Sequence, residues 1–219
     1  MGSVVFVFFW PRRRRVGAML VVGGFAVFLL ALQFGLVPAT FADRLLSFGE
    51  DLQFGDVRGA DINDANYAVL ERLAHWQSAI DMANEHPWLG VGWGNYEPAY
   101  ADYALINWPY ALGHAHNNYL NILAETGLVG TLAYLLVWSV VFGQALFALH
   151  RLDGRRRGIA LGLLAGWSAL SVHHLLDNLY VNNLFLHYGV LFGILQLLFF
   201  EARGHVTGPS RLLHRGKIK

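Results

Sequence analysis

The chain has 219 residues, of which 55% are hydrophobic and only 14% charged, and its net charge is +1. A soluble domain of this length would have to hide several long apolar runs in one core, so the composition points to a membrane protein. With no cysteine in the chain, disulfides, thiolate metal sites and cysteine nucleophiles are excluded.

Residues 1–10 are apolar and are followed by Arg12, Arg13, Arg14 and Arg15. A signal peptide places its basic residues first and ends on small residues, so this is not one. The run is also too short for a hydrocarbon core that needs roughly 20 residues. Residues 1–15 therefore read as the tail of a preceding span with a basic cytoplasmic turn, and the chain as the C-terminal part of a longer protein. Residues 16–37 form the first full span, residues 38–115 a polar, acidic loop, and residues 116–149, 158–177 and 183–200 three further spans. A basic loop, 150–157, separates the second and third of these four spans, and a basic tail, 201–219, closes the chain. The expected fold is all-α: a polytopic transmembrane helical protein of about four spans with a large, partly helical outer loop.

Charge orients it. Arg12–Arg15, Arg151, Arg155–Arg157, Arg203, Arg211, Arg215, Lys217 and Lys219 fall at alternate span ends, which the positive-inside rule assigns to the cytoplasm. The long loop holds only Arg44, Arg58 and Arg72 as cations against eleven Asp and Glu, so it is expected outside.

Within that loop, Asn63 or Asp64 is a suitable cap for an amphipathic helix running from about 64 to 85, stopped by Pro87. Ala65, Ala68, Val69, Trp76, Ala79, Ile80 and Ala83 fall on its apolar face, with Arg72 in the middle. An arginine centred on an apolar stripe needs an anion when that face docks; a snorkelling or internally paired arginine is the competing reading. Next, Gly90, Gly92 and Gly94 alternate with aromatic residues from Trp88 to Tyr96, as suits a tight turn at a membrane interface. Tyr100, Tyr103, Trp108 and Tyr110 extend the series and suit either sugar stacking or an interfacial belt.

His114 and His116 come next, just before an apolar helix. Their i, i+2 spacing could serve a metal with a carboxylate partner, but no dedicated metal spacing supports that. At the start of a helix the dipole disfavours an imidazolium, and a neutral imidazole is what a general base requires. Glu125 lies two turns into the span, where a carboxylate is either functional or a hydrogen-bond partner for another helix. Gly127 and Gly130 are spaced for close helix packing. His173, His174 and Asp177 end the third span, as orienting groups or as interfacial caps.

These residues resemble the O-antigen ligase family of bacterial membrane glycosyltransferases. The family's motif of His, Asn/Ser/Gln, nine residues, Gly, two residues and Gly/Thr/Tyr is matched by His116, Asn117, Gly127 and Gly130. Arg72-Leu73-Ala74-His75-Trp76 and the Pro87-x-x-Gly90-x-Gly92 turn resemble the family's Arg–Trp helix and Pro-x-x-Gly-x-Gly turn, and the likeness runs from about residue 44 to 198. The resemblance implies transfer of a glycan from undecaprenyl pyrophosphate to a hydroxyl acceptor, lipid A–core or another, at the periplasmic face of the inner membrane. It implies His116 as base and Arg72 as the cation that meets the leaving pyrophosphate, with inversion and without a metal. His114, Asn117, Glu125, Arg44, Trp76 and Asp177 would bind or support, beside the motif glycines Gly90, Gly92, Gly94, Gly127 and Gly130. The expected partners are the lipid-linked donor, the acceptor and membrane lipids; no cofactor and no nucleic acid is expected. A polymerase or a protein O-glycosyltransferase is a close variant. A truncated subunit that binds lipid-linked glycan, and a transporter using Glu125 and the His173, His174 and Asp177 group as an ion relay, are the alternatives of another class.

Overall fold

A computed structural model describes residues 1–38, 56–64, 66–180 and 183–204. Its described residues form seven helices and no strand: α1 (Gly2–Phe9), α2 (Arg14–Gln33), α3 (Tyr67–Glu85), α4 (Tyr96–Tyr103), α5 (Asn118–Arg151), α6 (Gly154–His173) and α7 (Leu184–Ala202). Arg44 and the basic residues 211–219 lie outside the described residues.

Helices α2, α5 and α7 are long and apolar enough to cross a bilayer. Helix α2 buries only Gly17 and exposes Met19, Leu20, Val22 and Phe25, as a helix facing lipid would. It ends four residues earlier than the span expected over 16–37. Gly35 takes φ +65°, its N–H reaches the Leu32 carbonyl at 3.2 Å, and the Leu36 N–H reaches that of Ala31 at 2.9 Å. This is a Schellman stop, and the glycine permits it.

The third expected span, 158–177, is displaced by four residues towards the N-terminus and is not among the helices long and apolar enough to cross a bilayer. Helix α6 starts at Gly154 with three arginines in its first turns and ends at His173, because Leu175, Leu176 and Asp177 turn back onto Val172 and His173. It is an inner helix: Leu161, Leu164, Trp167 and Leu170 pack with Trp138, Ala145 and Leu149 of α5 and Leu195 and Leu198 of α7. Helix α1 lies antiparallel to it. A side chain at Gly2 would strike the Ala165 carbonyl, and Arg157 reaches the Phe9 and Trp10 carbonyls.

Helix α3 begins at Tyr67, later than a cap at Asn63 or Asp64 would give. Asn63 and Asn66 instead bond each other reciprocally, side chain to backbone, at 2.9 and 3.2 Å. The helix stops at Glu85, ahead of Pro87. Its buried face is rotated from the expected one. Leu73, Ala74, His75, Trp76, Ser78, Ala79, Met82 and Ala83 are buried, while Ile80 is exposed and Arg72 sits at the edge. Trp76 and Leu73 pack with Val57, Leu105 and Trp108; Ala79 and Met82 pack with Tyr96, Tyr100, Ala115 and Ala124. The loop is thus seated on the N-terminal part of α5.

How it is seated explains the glycine spacing. Gly127 takes φ +61° and ψ −162°, which breaks α5. The N–H groups of Leu128 and Val129 donate to the Pro87 and Trp88 carbonyls at 2.8 and 3.2 Å. The carbonyls of Ala124 and Glu125 accept from the Val91 and Gly92 N–H groups, both at 2.9 Å. An unbroken helix would pair these four groups with one another. The segment from Pro87 to Gly92 is therefore inserted into the α5 ladder as a strap, and none of these four groups of α5 is left unpaired. The approach is backbone to backbone: a Cβ at Gly90 would lie 2.3 Å from the Glu125 carbonyl carbon, and one at Gly127 2.4 Å from that of Trp88. Gly127 thus serves contact with a loop rather than the helix–helix packing its spacing suggested. Gly130 faces the Thr126 side chain of its own helix, 2.1 Å from where a Cβ would sit.

Candidate active site

Asn117 starts α5. Its Oδ1 accepts from the N–H groups of Tyr119 and Leu120 at 3.0 and 3.1 Å, which satisfies two of the helix's orphan donors. Its Nδ2 donates to the Leu175 carbonyl at 2.9 Å, and the Asn118 N–H donates to that of His174 at 2.9 Å. The start of α5 is thereby joined to the end of α6, donors against acceptors. This junction carries Asp177 to the histidines.

His116 is the residue just before that cap, in the left-handed region at φ +50°. Its backbone is held on both sides. The N–H donates to His114 Nδ1 at 3.1 Å, and the carbonyl accepts from Trp76 Nε1 at 3.2 Å. A further bond, from the Ala115 N–H to Asn121 Oδ1 at 3.0 Å, fixes the approach to the helix. These contacts hold a conformation that a non-glycine residue adopts at a cost of order 1–3 kcal/mol.

The imidazole of His116 places Nδ1 3.5 Å from Asp177 Oδ1. That is longer than a formed hydrogen bond and short enough to tighten on substrate binding. Nε2 makes no hydrogen bond among the described residues and is shielded from solvent. A buried polar atom without a partner calls for a functional explanation. His114 Nε2 lies 3.9 Å from the same Asp177 oxygen, and the ligand atoms of His114, His116 and Asp177 all fall within 4.8 Å of one another. The hydrogen bonding argues against a metal in this trio. His114 Nδ1 already accepts from the His116 N–H, so Nε2 carries the proton and faces Asp177 as a donor, not as a ligand.

Arg72 approaches from α3. One nitrogen donates to the Ala68 carbonyl at 2.7 Å, and among the described residues no carboxylate lies within salt-bridge distance of the guanidinium. It lines a cavity of about 330 Å³ with Val69, Leu73, Trp76, Leu176 and Asp177. The cation and the carboxylate behind His116 therefore open on one space.

His75 carries no functional signal of its own in the sequence. It sits between Arg72 and Trp76, and that spacing turns it inward. It is 1% exposed, its ring lies 5.3 Å from that of His116, and its Nδ1 is 3.0 Å from the Tyr96 hydroxyl. Burial first, then the two neighbouring histidines, push its pKa down to about 4. His114 is lowered as well, by burial and by His116, against an opposing pull from Asp177. Neutral rings are the preferred state of both groups.

Glu125 is 7% exposed, and its Oε1 accepts from the Tyr96 N–H, the first residue of α4, at 3.2 Å. The carboxylate meets a helix N-terminus, a favourable placement. It is thus a hydrogen-bond partner for another helix. Gly90, Gly92 and Gly94 all have positive φ, as the tight turn requires. Arg44 is outside the described residues.

The described residues define an all-helical membrane protein whose long loop is sewn to a spanning helix around a partly buried histidine–aspartate pair. The family model described as O-antigen ligase matches residues 1–135, well over half of the chain, and the chain belongs to that family. It is accordingly a bacterial membrane glycosyltransferase of the O-antigen ligase and polymerase type, working on a lipid-linked glycan donor and an acceptor. The match takes in Arg72, the strap and the histidine motif, and ends within α5, ahead of Asp177. No curated protein matches the chain.

Proposed function

We propose that the chain transfers a glycan from undecaprenyl pyrophosphate to an acceptor hydroxyl, that of lipid A–core, at the periplasmic face of the inner membrane. His116 Nε2 takes the proton of the acceptor hydroxyl. The freed oxygen attacks the anomeric carbon from the face opposite the pyrophosphate, and the bond from that carbon to the pyrophosphate oxygen breaks with inversion. The departing oxygen keeps the electron pair, and Arg72 meets its charge through the planar guanidinium. Asp177 accepts from Nδ1–H, holds the tautomer that leaves Nε2 basic, and stabilises the imidazolium that forms. A well-held lipid pyrophosphate needs no divalent ion to depart.

One observation carries this reading: His116 has a carboxylate 3.5 Å from one ring nitrogen and no partner on the other, and that carboxylate lines a cavity edged by an arginine without a carboxylate partner among the described residues. The scarcity of Lys and Arg in the loop, against the arginine-rich turns at the opposite span ends, supports the periplasmic placement through the positive-inside rule. The test is transfer by the purified protein with lipid-linked donor and acceptor. His116→Ala is expected to abolish turnover while donor binding persists, and EDTA to leave the wild type active. Full turnover by His116→Ala would rule out the base.

A further inference from the structure

The basic turns at the far end of the bundle meet. The turn between α1 and α2 and the turn between α5 and α6 enclose a cavity of about 250 Å³. Arg12, Arg14, Arg151 and Arg157 line it, against Asp153 as the one acid. Asp153 is taken by Arg12 in an ion pair.

Two of the cations are fixed by neutral partners. His150 Nδ1 donates to the Leu146 carbonyl at 2.6 Å, which leaves Nε2 to accept from Arg14 at 2.8 Å. Arg157 donates to the Trp10 carbonyl at 3.0 Å and to that of Phe9. Neither arginine has a carboxylate within salt-bridge distance among the described residues. Their positions are set and their charges are not cancelled, which makes the cavity a preorganised anion site.

The surroundings select the anion. Phe9, Pro11 and Leu149 supply apolar wall. Helix α2 leaves the cavity with Val16, Met19 and Leu20 exposed along a face that buries almost nothing. A ligand seated here meets guanidinium groups at one end and a lipid-facing helix at the other, so it is amphiphilic. We propose that this cavity binds the phosphodiester headgroup of an anionic phospholipid, with Arg14 and Arg151 on its phosphate and its acyl chains along α2. Basic pockets between membrane helices suit such headgroups.

The full chain, purified in mild detergent, is equilibrated with equal amounts of phosphatidylglycerol and phosphatidylcholine of matched chains. Bound lipid is then counted by native mass spectrometry. Each pocket arginine is expected to contribute about fivefold in affinity. Wild type should retain phosphatidylglycerol in clear preference, and Arg14→Gln/Arg151→Gln should lose that preference. Arg13→Gln/Arg155→Gln removes the same charge outside the cavity and should keep it. If the first pair fails to fold, Arg151→Gln alone serves, since that guanidinium rests on the Phe147 ring and holds no backbone. Equal retention of both lipids, or equal loss in both double variants, overturns the proposal. Displacement of the lipid by millimolar inorganic phosphate assigns the cavity to a soluble phosphate and overturns the lipid assignment.

Discussion

The indole N–H of Trp76 donates to the carbonyl of His116 at 3.2 Å, across the junction between the loop helix and the start of α5. One bond thus links the helix that carries Arg72 to the residue assigned as base, and helps hold that residue at φ +50°. Trp76→Phe keeps an aromatic side chain but removes the donor together with part of the packed indole. Loss of one such bond is expected to cost about 1 kcal/mol in stability. Turnover should fall by more than stability does, because His116 loses its register with Arg72. Thermal unfolding and single-turnover transfer, measured on the same preparation, separate the two effects.

Arg72→Lys should be nearly as damaging as Arg72→Ala. An ammonium is a point charge and cannot hold two pyrophosphate oxygens in one plane. Near-normal turnover by the lysine variant would count against pyrophosphate contact. For Asp177→Asn, turnover is expected to drop about 10²–10⁴-fold, the scale of general base catalysis. Donor affinity in that variant should be unchanged.

The strap separates its glycines. Gly90 faces the backbone of α5 at 2.3 Å from a would-be Cβ, while Gly94 has positive φ but open space around it. Gly94→Ala should therefore cost only backbone strain, roughly 1–2 kcal/mol. Gly90→Ala and Gly127→Ala should detach the loop from α5. Limited proteolysis between residues 86 and 96 is the measurement, with rapid cleavage expected for those two variants and slow cleavage for Gly94→Ala.

Glu125→Gln should retain activity and Glu125→Ala should lose most of it. The amide oxygen still accepts from the Tyr96 N–H, and only the alanine leaves the start of α4 uncapped. Equal inactivation by both substitutions would restore a role for the negative charge.

His75 makes stability sensitive to acid. Its folded pKa of about 4 is below its ordinary value of 6.5, so the unfolded chain takes up the proton first. The contribution of this group is intact above about pH 6.5 and is lost as pH falls towards 4. The unfolding temperature in detergent should drop across that window, and the slope should flatten in His75→Gln. A slope unchanged by the substitution would assign the acid sensitivity to other groups.

Much of this architecture is legible in local sequence. The apolar runs, the Pro87 stop, the Asn117 cap and the turn glycines each act over a few residues, and each leaves a readable mark. What could not be read depends on pairing between distant segments. Gly90 and Gly127 are both visible as glycines, but nothing in either stretch says that they face each other. His75 reads as an ordinary helix residue until the rotation of the buried face is known, and a one-residue error in that rotation exchanges Ile80 for inward positions. Asp177 reaches His116 only because α5 and α6 dock end to end through Asn117 and Asn118. Glu125 leaves two readings open for a related reason: its cost in a membrane helix is plain, while its partner, the start of α4, is out of view.

The break at Gly127 gives α5 a second fully bonded form. Withdrawing the strap releases four backbone groups of α5, and these are the ones that can close two ordinary helical bonds across the glycine. Glycine accepts either backbone geometry. The loop's own donors and acceptors pass to water. Undocking the loop would therefore strand none of these four amide groups in hydrocarbon.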